Sequence, residues 1–440
     1  MPTVVLATAR TPFGRLGGAL SSLAATTLGG DAIRNAVARA GIDSAEIEHV
    51  IMGQVLQGGA GQAPARQAMF KAGLAKTTTA ETINKVCASG MVAVAHAARM
   101  INAGDHDVIV AGGMESMSNA PYLLANARSG YRFGNGELID EMVHDGLLDY
   151  YFDEAMASQA AKVAAELGLT REVQDQFAYQ SHARAHAAHE AGHLSAEIVP
   201  IRVASKARGK IIVDALPIPA RERVPVAAGG NGKSIWGHAS AMVADPKRYS
   251  PYVTGDVPAN LVDRDEPVRA DASIEAMAKL KPLDKDGTVT AGNAPGVNDG
   301  AAALVLSSSE YAKRNGIEVL GTVEGHAGAA WDPPYLALTP AMATQKLLDR
   351  MNLKTSDIAV WEFNEAFAAV ALTAAGRLGL DPTSINVQGG AVAFGHPLGA
   401  SGARVVASVI HQLRRRGGGL GIAAICSGGG QGDALLVRVG

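Results

Sequence analysis

The sequence predicts an α/β fold made of two related halves, separated by a segment of different character. Three observations carry that expectation. Apolar strand-like runs alternate with helical patterns from Val4 to Gly113, and the alternation returns after Asn293. Between Asn119 and Asn293 the strand signals thin out. Finally, the outer parts repeat each other in order. Cys87-Ala88-Ser89-Gly90 opens a helix and is followed by the apolar run Val108–Gly113; Gly399-Ala400-Ser401-Gly402 does the same ahead of Ile422–Gly429. Asn298-Asp299-Gly300-Ala301-Ala302-Ala303-Leu304-Val305 likewise resembles Gln431-Gly432-Asp433-Ala434-Leu435-Leu436-Val437.

Element by element, Val4–Ala7 reads as a strand, Ala25–Ala40 as a helix and His49–Met52 as a strand. A helix near Gln62–Ala72 leads to a strand at Thr82–Val86, a tight turn at Cys87, and a helix over Met91–Met100. Val108–Gly113 closes the unit as a buried strand, and such alternation favours mostly parallel pairing. In the middle segment Asp153–Glu166 and Arg171–Ala191 have helical patterns. The residues 204–262 are rich in Pro, Gly, Arg and Lys, which marks an insertion. The second half carries strands at Ala301–Leu306, Thr322–Gly325, Ala359–Phe363 and Gly421–Ile425, with helices at Ala341–Met351, Ala368–Leu378 and Ser401–Arg414.

At 440 residues the chain is long enough for several domains and a large core. Its formal net charge of −3 gives no basic footprint for nucleic acid. No uninterrupted apolar run reaches the roughly 18 residues of a membrane span. Met1-Pro2-Thr3-Val4 starts a strand at once, without a basic secretory leader, so a cytoplasmic setting is expected. The two cysteines, Cys87 and Cys426, make neither a disulfide framework nor a metal site, which agrees with a reducing compartment.

Both cysteines sit in turns of small residues rather than in apolar runs. Cys87 stands between a strand and a helix, where free backbone N–H groups and the helix dipole favour the thiolate. A thiolate is the attacking form of cysteine. Alone, Cys87 is equally compatible with a small buried side chain at a junction. Three further turns accompany it: Asn364-Glu365-Ala366-Phe367, Gly395-His396-Pro397 and Cys426-Ser427-Gly428. Together they offer a thiol nucleophile, an amide able to fix a water, a general base and a second thiol able to move protons. His182, His186, His189 and His193 recur at helical spacing, but without the carboxylate pattern of a metal helix they are expected to form a solvated face. Ala227–Ser234 ends like a phosphate-binding loop, yet lacks its first glycine and the strand that should feed it.

The four turns together resemble the signatures of the thiolase family: Cys-x-Ser, Asn-Glu-Ala-Phe, Gly-His-Pro and Cys-x-Gly. The stretches Gly389–Arg404 and Gly112–Ser118 are similar to it as well. The resemblance covers nearly the whole chain apart from 204–262. It implies two βαβαβαββ halves in a layered αβαβα core, with residues 1–119 and 297–317 as the N-terminal half. Residues 120–296 would be a CoA-binding loop domain, and 318–440 the C-terminal half. It further implies acylation of Cys87 by an acyl-CoA, with His396 taking the thiol proton. His396 and a water held by Asn364 would stabilise the thioester oxyanion. Cys426 would exchange the α-proton of acetyl-CoA, and the N–H groups of Cys87 and Gly428 would form a second oxyanion hole.

Around the acyl and pantetheine pocket the sequence departs from the family pattern. His-Met becomes Ala155-Met156, Asn-Ala-Ser-Gly becomes Asn293-Ala294-Pro295-Gly296, and Met-Gly-x-Gly-Pro becomes Leu336-Ala337-Leu338-Thr339-Pro340. Met156, Ala366, Phe367, Leu336 and Pro295 are therefore the expected pocket residues. Arg269 matches a position near the CoA adenine, or is an ordinary surface arginine. The expected activity is condensation of two acetyl-CoA to acetoacetyl-CoA plus CoA and its reverse, by ping-pong transfer. The alternatives are a 3-ketoacyl-CoA thiolase for longer chains and a CoA-thioester binding subunit without turnover. The expected partners are acetyl-CoA and acyl-CoA; no metal or further cofactor, nucleic acid or membrane is expected, and the family implies a homodimer or homotetramer.

Overall fold

The structure is a computed structural model and describes residues 2–204, 259–284 and 287–440. Most of the expected insertion, with the Ala227–Ser234 stretch, lies outside the described residues. Its two ends meet: Ile201–Ala204 pairs antiparallel with Ala259–Val262.

The first half runs β1 (Thr3–Arg10), α1 (Ala25–Ala40), β2 (His49–Gly53), α2 (Pro64–Ala72), β3 (Thr79–Ile83), α3 (Ser89–Ala103) and β4 (Val108–Ser116). The middle segment contributes α4 (Met156–Glu166) and α5 (Arg171–Glu190). Next come β5 (Asn298–Ser308), α6 (Ser309–Asn315), β6 (Gly321–Ala330), α7 (Thr339–Met351) and β7 (Ile358–Phe363). The chain ends with α8 (Ala368–Arg377), α9 (Ala391–Phe394), α10 (Leu398–Arg416), β8 (Gly419–Ser427) and β9 (Gln431–Val439). The strands form one path in the order β7-β8-β9-β6-β1-β5-β4-β2-β3.

Parallel pairing is confined to the two outer arms, β4-β2-β3 and β7-β8. The centre, through β5, β1, β6 and β9, is antiparallel, which corrects the expectation of a mostly parallel sheet. The physical reason is the connections. Hairpin-like links such as Gly428–Gly430 between β8 and β9 reverse the chain, whereas only strands joined through α2, α3 or α8–α10 stay parallel.

The layers are legible from which side chains share a core. Val5, Ile51, Ile109, Leu304 and Leu306 face a central cluster with α3 and α10. Their neighbours Val4, Leu6, Val50, Val110, Ala303 and Val305 face an outer cluster with α1 and α2. In the second half Ala423, Ile425, Leu435 and Val437 face the centre, while Ile422, Ala424, Ala434 and Leu436 face α7 and α8. This period-2 alternation between two apolar faces means these strands are buried on both sides. Helices therefore lie outside, between and outside the two arms of the sheet, as a five-layered αβαβα stack. Each fully buried Leu, Ile or Val adds about 1.5–3 kcal/mol of apolar transfer, so the central layer is held strongly. Val86–Ala103 is apolar and long enough by composition to cross a bilayer, yet here it packs in that central layer. Its contact with α10 is close: a Cβ on Gly90 would lie 2.7 Å from the Gly399 oxygen. The two central helices thus bring their N-termini, and the turns that precede them, to one place.

Candidate active site

Cys87 lies in the turn between β3 and α3 and is buried at 3% exposure. The strand stops at Ile83, earlier than its apolar pattern suggests, because the turn is built by side chains. Asn84 Oδ1 accepts from the Val86 N–H at 2.9 Å, and Ser89 Oγ accepts from the Lys85 N–H at 2.8 Å while donating to the Val86 carbonyl at 2.6 Å. Val86 is thereby held at φ 44°, a left-handed conformation that a β-branched residue rarely adopts. The backbone N–H groups of Cys87 and Gly428 both act on the Cys87 sulfur. Burial outweighs them and pushes the thiol up to about 12. The resting sulfur is a protonated thiol, which corrects the expectation that the helix terminus alone would favour the thiolate: desolvation is the larger effect.

His396 is buried on the turn between α9 and α10. Gly395 ahead of it has φ 102°, and a Cβ there would lie 2.6 Å from Asn298, so glycine is required. Asn298 Oδ1 accepts from the His396 N–H at 2.8 Å. Ser401 Oγ donates to the Pro397 carbonyl at 2.9 Å and stands 2.6 Å from His396 Nδ1. Since its own proton is committed, the hydroxyl accepts from Nδ1–H, which leaves Nε2 as the bare nitrogen. Burial, then the Arg404 charge, pull the imidazole down to about 3, so it is neutral. Asn364 Nδ2 lies 3.5 Å from that Nε2. Asn364 Oδ1 is buried with no partner among the described residues and keeps its capacity to accept a hydrogen bond.

Cys426 is the last residue but one of β8 and is buried at 1% exposure. Its thiol is raised well above the ordinary value by burial first and then by proximity to Cys87. It belongs to an apolar cluster with Met156, Leu336, Ala337, Ala366 and Val370, bordered by Phe367 and Tyr335. Met156 also approaches Gly428, whose added Cβ would lie 3.4 Å from its Sδ. The structure thus groups Cys87, Cys426 and Gly428, pairs His396 with Asn364, and ties Asn364 to the strand of the second thiol, its N–H donating to the Ala424 carbonyl at 2.8 Å; Met156, Leu336, Ala366 and Phe367 surround that thiol. Ser427 Oγ donates to the Lys85 carbonyl, joining the two cysteine turns directly.

The remaining expected residues lie apart. Pro295 is half-buried beside Ala294, which packs with Phe367. Arg269 is exposed, and its N–H donates to His182 Nδ1 at 3.2 Å. The histidine row is a solvated face only in part: His193 is exposed and His186 half-buried, but the other two depart from that expectation. His182 is buried and pulled down to about 4 by burial and the Arg269 charge, and His189 pairs with the buried Asp265 at 3.1 Å.

Sequence reasoning missed four supporting residues. Ser401 and Asn298 fix the imidazole. Glu365 accepts from Ser181, Asn386 and the Val392 N–H, at 2.7, 2.8 and 3.0 Å, and so anchors the Asn364 turn to α5 and α9. Glu115 accepts from the N–H groups of Val55, Leu56 and Gly399 at 3.0, 3.2 and 2.9 Å, clamping β4 to the start of α10. Their only sequence signal was a polar residue beside an apolar strand or turn.

Two family models match the chain: the N-terminal domain of thiolase over residues 3–219 and 252–310, and the C-terminal domain of thiolase over 317–439. The chain belongs to the thiolase family. It is 42% identical over 436 residues to the acetyl-CoA acetyltransferase of Cupriavidus necator, covering 99% of this chain and 98% of that relative. It is 41% identical over 437 residues to the acetyl-CoA acetyltransferase of Escherichia coli, with coverage of 99% and 98%. Among solved structures, the Bacillus anthracis acetyl-CoA acetyltransferase superposes with a TM-score of 0.86 at 36% identity, covering 99% of this chain and 98% of that one. This thiolase therefore has the five-layered architecture, with helices between the two arms of its sheet, that the sequence led one to expect.

Proposed function

We propose that this thiolase is an acetyl-CoA C-acetyltransferase, interconverting two acetyl-CoA with acetoacetyl-CoA and CoA through an acetyl-Cys87 intermediate. The observations that support the reading are two buried thiols close enough to interact and, on a turn tied to the strand of the second, an amide paired with a neutral imidazole. The names of its full-length relatives support the substrate class.

Because Cys87 rests as a thiol, attack and proton transfer must be coupled. The Cys87 proton passes to His396 Nε2 as the sulfur bonds to the thioester carbon. The carbonyl oxygen gains charge, and the imidazolium and Asn364 stabilise it. Cys426 gives its proton to the departing CoA sulfur and becomes a thiolate. Acylation also removes the possibility of charge on Cys87, and with it the repulsion that raises Cys426. The Cys426 thiolate then takes the α-proton of a second acetyl-CoA, whose carbon bonds to the acetyl carbon. The N–H groups of Cys87 and Gly428 face the new oxyanion. Collapse breaks the Cys87–carbon bond, and Cys87 recovers its proton from His396.

In this reading residues 120–296, with Met156, Arg269 and Pro295, hold the CoA. The apolar border of Cys426 contains Leu336, Phe367 and Tyr335. That lining also fits a longer acyl chain, so a 3-ketoacyl-CoA thiolase is the second reading. We further propose a homo-oligomer, dimer or tetramer, supported by the partly exposed edge strand β3, which among the described residues is paired on one side only. A reducing, cytoplasmic compartment fits its two free thiols. The test is thiolysis of 3-ketoacyl-CoAs of increasing length, with mass spectrometry after incubation with acetyl-CoA. Absence of an acetyl adduct on Cys87, rather than a particular chain-length profile, would defeat the mechanism.

A further inference from the structure

The helix that follows His396 starts without a cap of its own. Pro397, ahead of α10, makes no side-chain bond to the first turn. The free N–H of Gly399 is taken instead by Glu115 Oε2 at 2.9 Å. Glu115 is fully buried near the end of β4. Its Oε2 also accepts from the Val55 N–H at 3.0 Å, and Oε1 accepts from the Leu56 N–H at 3.2 Å, both in the turn after β2. One side chain thus joins three segments, and glycines let them close up. A Cβ on Gly399 would lie 2.7 Å from the Met114 oxygen and 2.8 Å from the Gly53 oxygen. Gly113, on the same face of β4 as Glu115, has no room for a Cβ beside the Gly399 oxygen. That oxygen also lies against Gly90, three residues after Cys87.

Gly399 is therefore where the helix after the base meets the helix after the nucleophile. Glycine contacts allow a close approach but have no preferred direction, whereas a hydrogen bond does. The bond to Glu115 stops the start of α10 from sliding in its notch, and His396 lies only three residues before that bond. Glu115 stands close enough to Cys87 for its charge to act on the thiol, in the direction that raises it. We propose that Glu115 is a positioning residue for acyl transfer, which sets through the Gly399 N–H the gap between the Cys87 sulfur and His396 Nε2. The inference rests on the reading of Cys87 as the acyl carrier, since that gap is the one the thiol proton crosses. Burial raises Glu115 to about 8 against the pull of its three N–H donors. The role survives in either protonation state, because Oε2 accepts from Val55 and Gly399 whether or not Oε1 carries the proton.

The test is the rate of Cys87 acetylation by acetyl-CoA, followed by mass spectrometry, with steady-state thiolysis beside it. Glu115→Met keeps the size of the side chain and removes both acceptors. It is expected to lower kcat and the acetylation rate by up to about 100-fold, the scale of a misplacement of about 1 Å, with KM close to wild type. Glu115→Gln keeps one oxygen for Val55 and Gly399 and is expected to restore most of the rate. In a His396→Gln background the base is already gone, so Glu115→Met should change acetylation little. A side chain that only supports the core would slow acetylation alike in both backgrounds. Wild-type rates in Glu115→Met, no recovery in Glu115→Gln, or an undiminished effect in the His396→Gln background overturns the proposal. Circular dichroism and calorimetric CoA binding show whether Glu115→Met is folded. If it is not, Glu115→Asp, which withdraws the carboxyl from Gly399 by one methylene, carries the same comparison. Failure of both to fold would make Glu115 a support of the core alone and overturn the assignment. A wild type that gains no acetyl group defeats the acyl-transfer reading itself, and this assignment with it.

Discussion

The two central helices begin alike and end up doing different work. Ser89 at the start of α3 and Ser401 near the start of α10 occupy matching places in the internal repeat. Each hydroxyl donates to a main-chain carbonyl in the turn before it, Val86 for Ser89 and Pro397 for Ser401. Each then accepts one hydrogen bond. For Ser89 the donor is the Lys85 backbone, so the hydroxyl closes the turn that holds the thiol. For Ser401 it is the His396 imidazole, so the same device selects a tautomer. One structural element, used twice, thus fixes a nucleophile's backbone in one half and a base's proton in the other.

The comparison can be broken or sharpened by substitution. The largest effect is expected from Cys87→Ser. Removing a catalytic nucleophile acts on the scale of about 10,000-fold or more, so thiolysis should fall that far and the acetyl adduct should vanish. Near-normal thiolysis would mean that the first half does not carry the nucleophile. Asn364→Ala removes an oxyanion donor and should lower kcat by about 100- to 1000-fold while KM changes little. A KM effect alone would recast Asn364 as a binding residue.

Ser401→Ala should lower kcat by about 10-fold, the rate equivalent of one hydrogen bond, and should do so through the imidazole. The wild-type pH–rate profile should show no limb near 6.5, because burial holds His396 near 3. A limb near 6.5 in the wild type would show an exposed imidazole instead. Ser89→Ala should leave the shape of that profile unmoved and cost about 1–3 kcal/mol of stability, read by chemical unfolding, because the Lys85 N–H loses its acceptor. A change of pH profile in Ser89→Ala would make the two serines equivalent after all.

The smallest expected effect is on stability against pH. A buried histidine lowered from 6.5 to about 3 in the folded state binds its proton more weakly there than in the unfolded chain. Its contribution is therefore complete above pH 6.5 and is lost as the pH falls toward 3. The denaturation midpoint should decline over that window, and less so in His396→Gln. An equal decline in both proteins would assign the loss to other groups.

Much of this was legible in the sequence. Helix α1 occupies the expected residues, Ala25–Ala40, because its apolar spacing and the following Gly41 mark both face and end. The four reactive turns were legible because small residues around a thiol or imidazole have little use in packing. Strand direction was not, since apolar runs look the same whether neighbours are parallel or antiparallel. Nor was the fate of His182 and His189: helical spacing places residues on a stripe but does not say what packs against it. Glu115 and Glu365 were hidden because a buried carboxylate is recognisable only by its donors, which come from distant parts of the chain.

By itself the sequence determined the family, the alternation of elements and the identity of the reactive side chains, since all of these are written in local pattern. Only the tertiary structure decided their chemical state. Burial made Cys87 a thiol against the pull of its helix terminus, and Ser401, together with Asn298, set which nitrogen of His396 is free. Desolvation and hydrogen-bond direction arise when segments hundreds of residues apart close around the same few atoms, and no single stretch of chain contains them.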